Sequence, residues 1–174
     1  EGHGDASNGA QVNARLMADR KLLTDIMSSS GYLDAVVDLA VELPPQGTQE
    51  PVMAILHVVP GPQYRMGKIV FDAPAVKPAD LISRNFALKS GDPIIADDVL
   101  ASEAAIAVAL PQNGYPFVKV GDRDILLDEQ AQTGDYTLPV TPGPRSSFGD
   151  ILTRGRPVFD AKHIGVIARF KKGE

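Results

Sequence analysis

Three histidines, two carboxylate pairs and several glycine-containing loops are the residues of this 174-residue chain whose types could do chemistry. His3, His57 and His163 lie far apart, with neither His-x-x-x-His nor His-Glu-x-x-His spacing, so no metal site forms along one helix face. His57 alternates with Met53, Ile55 and Val59 and reads as a partly covered strand residue. The segment "GHGDAS" (2–7) is superficially like a hydrolase loop, but no Gly-x-Ser-x-Gly follows it, and it reads as a chain terminus. "GPQYRMG" and "GRPVFD" fit neither the dinucleotide nor the P-loop spacing. Asp97-Asp98 suits a helix start and Asp122 with Asp124 a turn. No nucleophile, base and orienting group can be assembled, so neither catalysis nor a cofactor is expected.

The elements that carry these residues belong to an ordinary globular composition, 44% hydrophobic and 22% charged. A net charge of −5, without an aromatic-basic cluster, argues against nucleic acid as partner. The absence of cysteine excludes disulfides and thiolate-bound metals and fits a bacterial envelope protein. No run of about 18 apolar residues is present to span a membrane as a helix. The chain starts at Glu1 without Met and reads as a mature or excised segment.

Two phrases organise the sequence. "VVPGPQYRMGKIV" (58–70) returns as "VTPGPRSSFGDIL" (140–152): Val58, Pro60, Gly61, Pro62, Gly67 and Ile69 recur 82 residues later. Lys89-Ser90-Gly91-Asp92 matches Lys171-Lys172-Gly173-Glu174 at the same offset, and Gly31-Tyr32 recurs as Gly114-Tyr115 at 83. Several matches at one offset define an internal repeat with a one-residue loop insertion. The expected domains are a partial repeat over 1–62, a complete one over 63–144, and the start of a third over 145–174.

Each repeat reads as strand, helix, helix, strand, strand. "KIVF" (68–71) is a short strand, with "DIL" (150–152) its copy. Pro78 opens a helix carrying Leu81, Ile82 and Phe86, which Gly91 stops. A second helix has Leu100, Ala104, Ala107 and Val108 at i, i+4, i+7 and i+8 and ends at Gly114. Its counterpart spans about residues 10–29, with Val12, Leu16, Leu23 and Met27 inward and Tyr32 packed beside its stop, as Tyr115 is beside Gly114. After Gly31-Tyr32, apolar Leu33, Ala35, Val37, Leu39, Val41 and Leu43 alternate with Asp34, Val36, Asp38, Ala40 and Glu42, a strand with one packed and one wet side. "PPQGTQE" turns the chain into a returning strand over 51–59. The later copy runs 117–127, a turn, and 135–141, with a bulge expected at Gly121-Asp122 and no explanation for Pro139 inside a strand. Two helices covering one face of a three-stranded mixed sheet give a two-layer α+β unit in tandem.

In this order and spacing, the Gly-Tyr after the second helix and the Gly-Pro before the next strand resemble the polypeptide-transport-associated (POTRA) repeats of outer-membrane assembly proteins. "LPQNGYPFVKV" and "LPVTPGPRSSFGDILTRG" are most similar to the TamA branch rather than BamA. The first repeat departs in lacking its opening strand and first helix, and no barrel follows. The resemblance implies an arm on the periplasmic side of the bacterial outer membrane, membrane-bound only through a barrel outside this chain. It would receive unfolded outer-membrane or autotransporter polypeptides, with an inner-membrane-anchored assembly partner as a second contact. It also implies that the second strand of each unit lies at a sheet edge, where a client strand can add. That places the binding edges at Asp34, Val36, Asp38, Ala40 and Glu42, and at Phe117, Val118, Lys119 and Val120. Pro60, Gly61 and Pro62, with Pro142, Gly143 and Pro144, are expected to form short hinges between repeats.

Overall fold

A computed structural model describes residues 9–42, 53–155, 158, 161–168 and 170–173. The expected turn over 44–50, Leu43 and "GHGDAS" lie outside them. Helix α1 spans Gly9–Ser29, strand β1 Val36–Glu42, β2 Met53–Val59 and β3 Arg65–Asp72. After a 3-10 turn at Ser83–Asn85 come α2 (Ala96–Gln112), β4 (Lys119–Val120), β5 (Asp124–Asp128), β6 (Thr133–Thr141) and α3 (Ala161–Ile167). This is a mixed α+β architecture with two sheets. One is the antiparallel pair β1–β2; the other has the order β3-β6-β4, with β5 also on β6. The chain divides into two compact units. One holds Glu1–Ile69, Leu88–Leu100 and Ile125–Tyr136, the other Val70–Ala87, Ala101–Asp124 and Thr137–Glu174.

In the first unit the β1–β2 register pairs Val37 with Val58 and Leu39 with Leu56, all on one face. These cross-strand apolar pairs are the covered ones, Val37 being buried and the others half-buried. The opposite face pairs Asp38 with His57 and Ala40 with Ile55, and all four are exposed. His57 is therefore on the wet face rather than partly covered, because it falls opposite Asp38 in the register. Val12, Leu16, Leu23 and Met27 are half-buried on one side of α1, as their spacing predicts.

Tyr64 and Met66, each 1% exposed, anchor the start of β3. Residues 91–94 lie along the outer side of this start: the Met66 amide donates to the Asp92 carbonyl (2.7 Å) and the Ile94 amide to the Tyr64 carbonyl (3.0 Å). Across β3, the Arg65 amide donates to the Gln132 carbonyl (3.0 Å) and the Lys68 amide to Asp135 Oδ1 (2.6 Å).

In the second unit, Leu81, Ile82, Phe86, Ile106, Leu110, Tyr115, Leu138 and Val140 are buried. Phe71 meets Phe86 edge-on at 5.3 Å. Two helix expectations are corrected here. The segment after Pro78 makes a single 3-10 turn, with Phe86 already extended at its end. Its polar side chains bond to the local backbone instead of leaving it to a helix: Ser83 Oγ donates to the Asp80 carbonyl and Asn85 Nδ2 to that of Leu81. In α2 the buried residues are Val99, Ser102, Ile106, Ala109 and Leu110, whereas Leu100, Ala104, Ala107 and Val108 are exposed. Both stripes have helical spacing, and the one with the larger branched side chain at its centre, Ile106, wins the core. Residues 150–152 are not a strand, since no described strand lies beside them to pair.

Candidate polypeptide-binding edge

The helix stops show how deeply the repeat is built in. Gly31 and Gly114 have φ of +87° and +91°, a conformation glycine adopts without steric cost. The Tyr32 amide donates to the Met27 carbonyl and the Tyr115 amide to that of Leu110. Each stop then bonds to the chain just after the Pro-Gly-Pro sequence: the Tyr64 amide donates to the Gly31 carbonyl (2.8 Å) and the Ser146 amide to that of Gly114 (2.7 Å).

The Pro-Gly-Pro joints are duplicated too. Gly61 and Gly143 have φ of +69° and +73°, and a Cβ on either would lie against the backbone and Cβ of Asp34 and Phe117 respectively. At the first joint the Tyr64 hydroxyl donates to Asp34 Oδ2 (2.9 Å). That bond to a carboxylate, with burial and the negative charge of Asp34, Glu129 and Asp128, raises the phenol above its ordinary value. Each compact unit thus encloses one joint, with residues from both sides of it packed and hydrogen-bonded.

The strands after the stops start later than their alternation suggests. Asp34, Phe117 and Val118 lie in turns, because the Ala35 amide donates back to the Tyr32 carbonyl and the Val118 amide to that of Tyr115. Val36, Asp38, Ala40 and Glu42 lie in β1, all exposed. Lys119 and Val120 form β4, opposite Thr141 and Val140.

β4 and β5 both pair with β6 and are separated by residues 121–123, where the sequence suggested a bulge at Gly121-Asp122. The Gly121 amide donates to the Pro139 carbonyl (2.8 Å), which makes Gly121–Pro139 a hydrogen-bonded pair. Antiparallel pairs alternate, so the Lys119 amide points inward to β6 and the Val120 amide points outward, away from the sheet. Pro139 now has a reason. The donor it lacks would have faced Gly121, where the edge strand is broken. Arg123, inside the break, pairs with Glu103 of α2 at 2.8 Å. Beyond it, Ile125 and Leu127 lie over Gly134 of β6, while Leu126 is 72% exposed on the other face. Asp128 Oδ1 accepts the Gln130 and Ala131 amides (3.0 and 2.9 Å) and shapes the turn into β6.

What this arrangement offers is main chain. Among the described residues no group of three or more metal-ligating side chains occurs, and no helix is long and apolar enough to cross a membrane. Sequence reasoning missed the cover that 91–94 gives the start of β3; among the described residues no strand pairs with the outer sides of β4 and β5. The alternation of Tyr64 and Met66 about Arg65 was the available signal for that buried strand start.

The fold places the chain in the class of two-layer α+β repeats, and solved structures give the class its particular form. The chain resembles BamA POTRA3-5 of Haemophilus influenzae, at 23% identity and a TM-score of 0.50, over 98% of this chain and 65% of that one. It also matches BamA POTRA4 of the same organism at 23% identity and a TM-score of 0.41, over 47% of this chain and 94% of that one. A third match is POTRA1-3 of the periplasmic domain of Omp85 from Anabaena, at 16% identity and a TM-score of 0.39, over 72% and 49% of the two chains. The chain therefore spans under two thirds of the first of these structures and shares the POTRA fold with it. No family model and no curated protein matches it.

Proposed function

We propose that this chain is a non-enzymatic periplasmic arm of an outer-membrane protein or autotransporter assembly factor of the TamA type, holding unfolded β-rich polypeptides by strand addition. The carrying observation is the outward Val120 amide on an edge strand beside β6, whose Tyr136, Leu138 and Val140 face is buried. Main-chain bonds at such an edge give affinity that depends little on the client's sequence. Ordering an unstructured client costs conformational entropy, so dissociation constants of about tens of micromolar or weaker are expected. In this reading the chain comprises a partial repeat over 1–62, a complete one over 63–144 and the beginning of a third, supported by the duplicated stops and joints. Pro60-Gly61-Pro62 and Pro142-Gly143-Pro144 then set the angle between successive repeats.

The test is a pair of proline substitutions, assayed with an extended peptide of a β-barrel strand. Val120→Pro removes an outward donor and should abolish binding while leaving the denaturation midpoint nearly unchanged. Lys119→Pro removes an inward ladder bond and should instead destabilise the repeat. Full binding by the Val120→Pro protein would refute strand addition at this edge. A second reading, a docking scaffold for one fixed periplasmic or inner-membrane-anchored partner, is favoured by the exposed stripe Leu100, Ala104, Ala107 and Val108 of α2. Loss of partner capture on Val108→Asp, with peptide binding intact, would support it.

A further inference from the structure

The edge is not chemically uniform along its length. On β5, Asp124, Leu126 and Asp128 share one face by the period of two, and all three are exposed. Leu127, 43% exposed, faces the other way over Gly134. Beside the strand end lies an open cavity of about 610 Å³, lined by Leu126, Leu127, Asp128, Glu129 and Asp135 among others. Asp128 Oδ1 and Asp135 Oδ1 are held by backbone amides, so these carboxylates are fixed in place. The nearest cation along the edge, Arg123, is paired with Glu103.

We propose that the β5 edge selects clients by charge, preferring extended segments that present Lys or Arg on either side of an apolar residue at a period of two. This rests on the strand-addition reading and goes beyond it in specifying the client. The edge of β5, which no described strand pairs, and its exposed leucines are what call for a strand; the carboxylates decide which one. A strand laid beside β5 brings its side chains within about 5 Å of those directly opposite. An apolar residue then covers Leu126, and its neighbours two positions away on each side face Asp124 and Asp128. Cations there are attracted, whereas Asp or Glu would be repelled, at Asp128 by a carboxylate that cannot swing away. Backbone bonding still provides most of the affinity, and the charges sort clients that are equally extended.

The experiment uses the full chain and two peptides with the same alternating apolar core, one Lys-x-Leu-x-Lys and the other Glu-x-Leu-x-Glu, followed by fluorescence anisotropy at low salt. The Lys peptide should bind about three- to tenfold more tightly, the range for two exposed opposite-charge pairs. The gap should shrink at high salt and disappear in the Asp124→Asn, Asp128→Asn double variant, whose side-chain amide at position 128 keeps an oxygen for the turn amides. Equal affinities in the parent chain would overturn charge selection while leaving strand addition standing. A preference that survives in the double variant would also overturn it, by placing the selection elsewhere. Binding of neither peptide would refute strand addition at this edge and the proposal with it.

Discussion

Replacing Gly31 by alanine, with Gly91 as its internal control, measures how tightly the first joint is packed. Both glycines have positive φ, +87° and +94°. A Cβ on Gly91 would meet nothing within 4 Å, so Gly91→Ala carries only the backbone penalty, about 1 kcal/mol. A Cβ on Gly31 would lie 2.9 Å from the Ile94 carbonyl oxygen and 3.3 Å from Gln63 Cγ. The carbonyl is backbone and cannot move aside cheaply, which adds an overpacking cost of about 1–3 kcal/mol. Shifting Gly31 to relieve the clash would also strain the bond that its own carbonyl accepts from the Tyr64 amide at 2.8 Å. With a urea dependence of about 2 kcal/mol per molar, Gly31→Ala should lower the unfolding midpoint by about 1–2 M and Gly91→Ala by about 0.5 M. Circular dichroism across a urea titration reads both. Equal shifts would refute the close approach of the helix stop to residues 63 and 94.

Tyr64→Phe should act at alkaline pH. The folded-state phenol is held above its unfolded value near 10, so its contribution is complete below pH 10 and is lost as pH rises through the folded value; the substituted protein should lose less stability above pH 10 in pH-dependent denaturation. Ile106→Ala, at a fully buried site, should cost about 2–4 kcal/mol, whereas Val108→Ala, 57% exposed, should cost under about 0.5 kcal/mol in the same urea assay. Reversed costs would put the packed face of α2 on the other stripe.

The order of elements was legible where one face alone is apolar. Val37 and Leu39 of β1 and Val12, Leu16, Leu23 and Met27 of α1 are covered as expected, whereas Val41, on the face of β1 expected to be packed, is exposed. The face of α2 was not legible, because the helix is apolar nearly all round and alanine marks no side; only packing decides in favour of Val99, Ile106 and Leu110. The missing helix after Pro78 has the same origin, since Leu81, Ile82 and Phe86 are buried as expected but need no α-helix to be so. The edge was legible as a location, through the resemblance, and its details were not. Where a ladder starts depends on hydrogen bonds such as Val118 to Tyr115, and which amide faces out depends on register. Pro139 looked anomalous in one dimension because its reason is the break opposite it, at Gly121.

Backbone amide chemical shifts, titrated with a peptide from a β-barrel strand, test strand addition most directly. The largest changes should fall on the outward Val120 amide and on β5 over residues 124–128, with the inward Lys119 amide moving less. Changes confined to Ala104, Ala107 and Val108 of α2, with the β4 and β5 amides silent, would contradict strand addition.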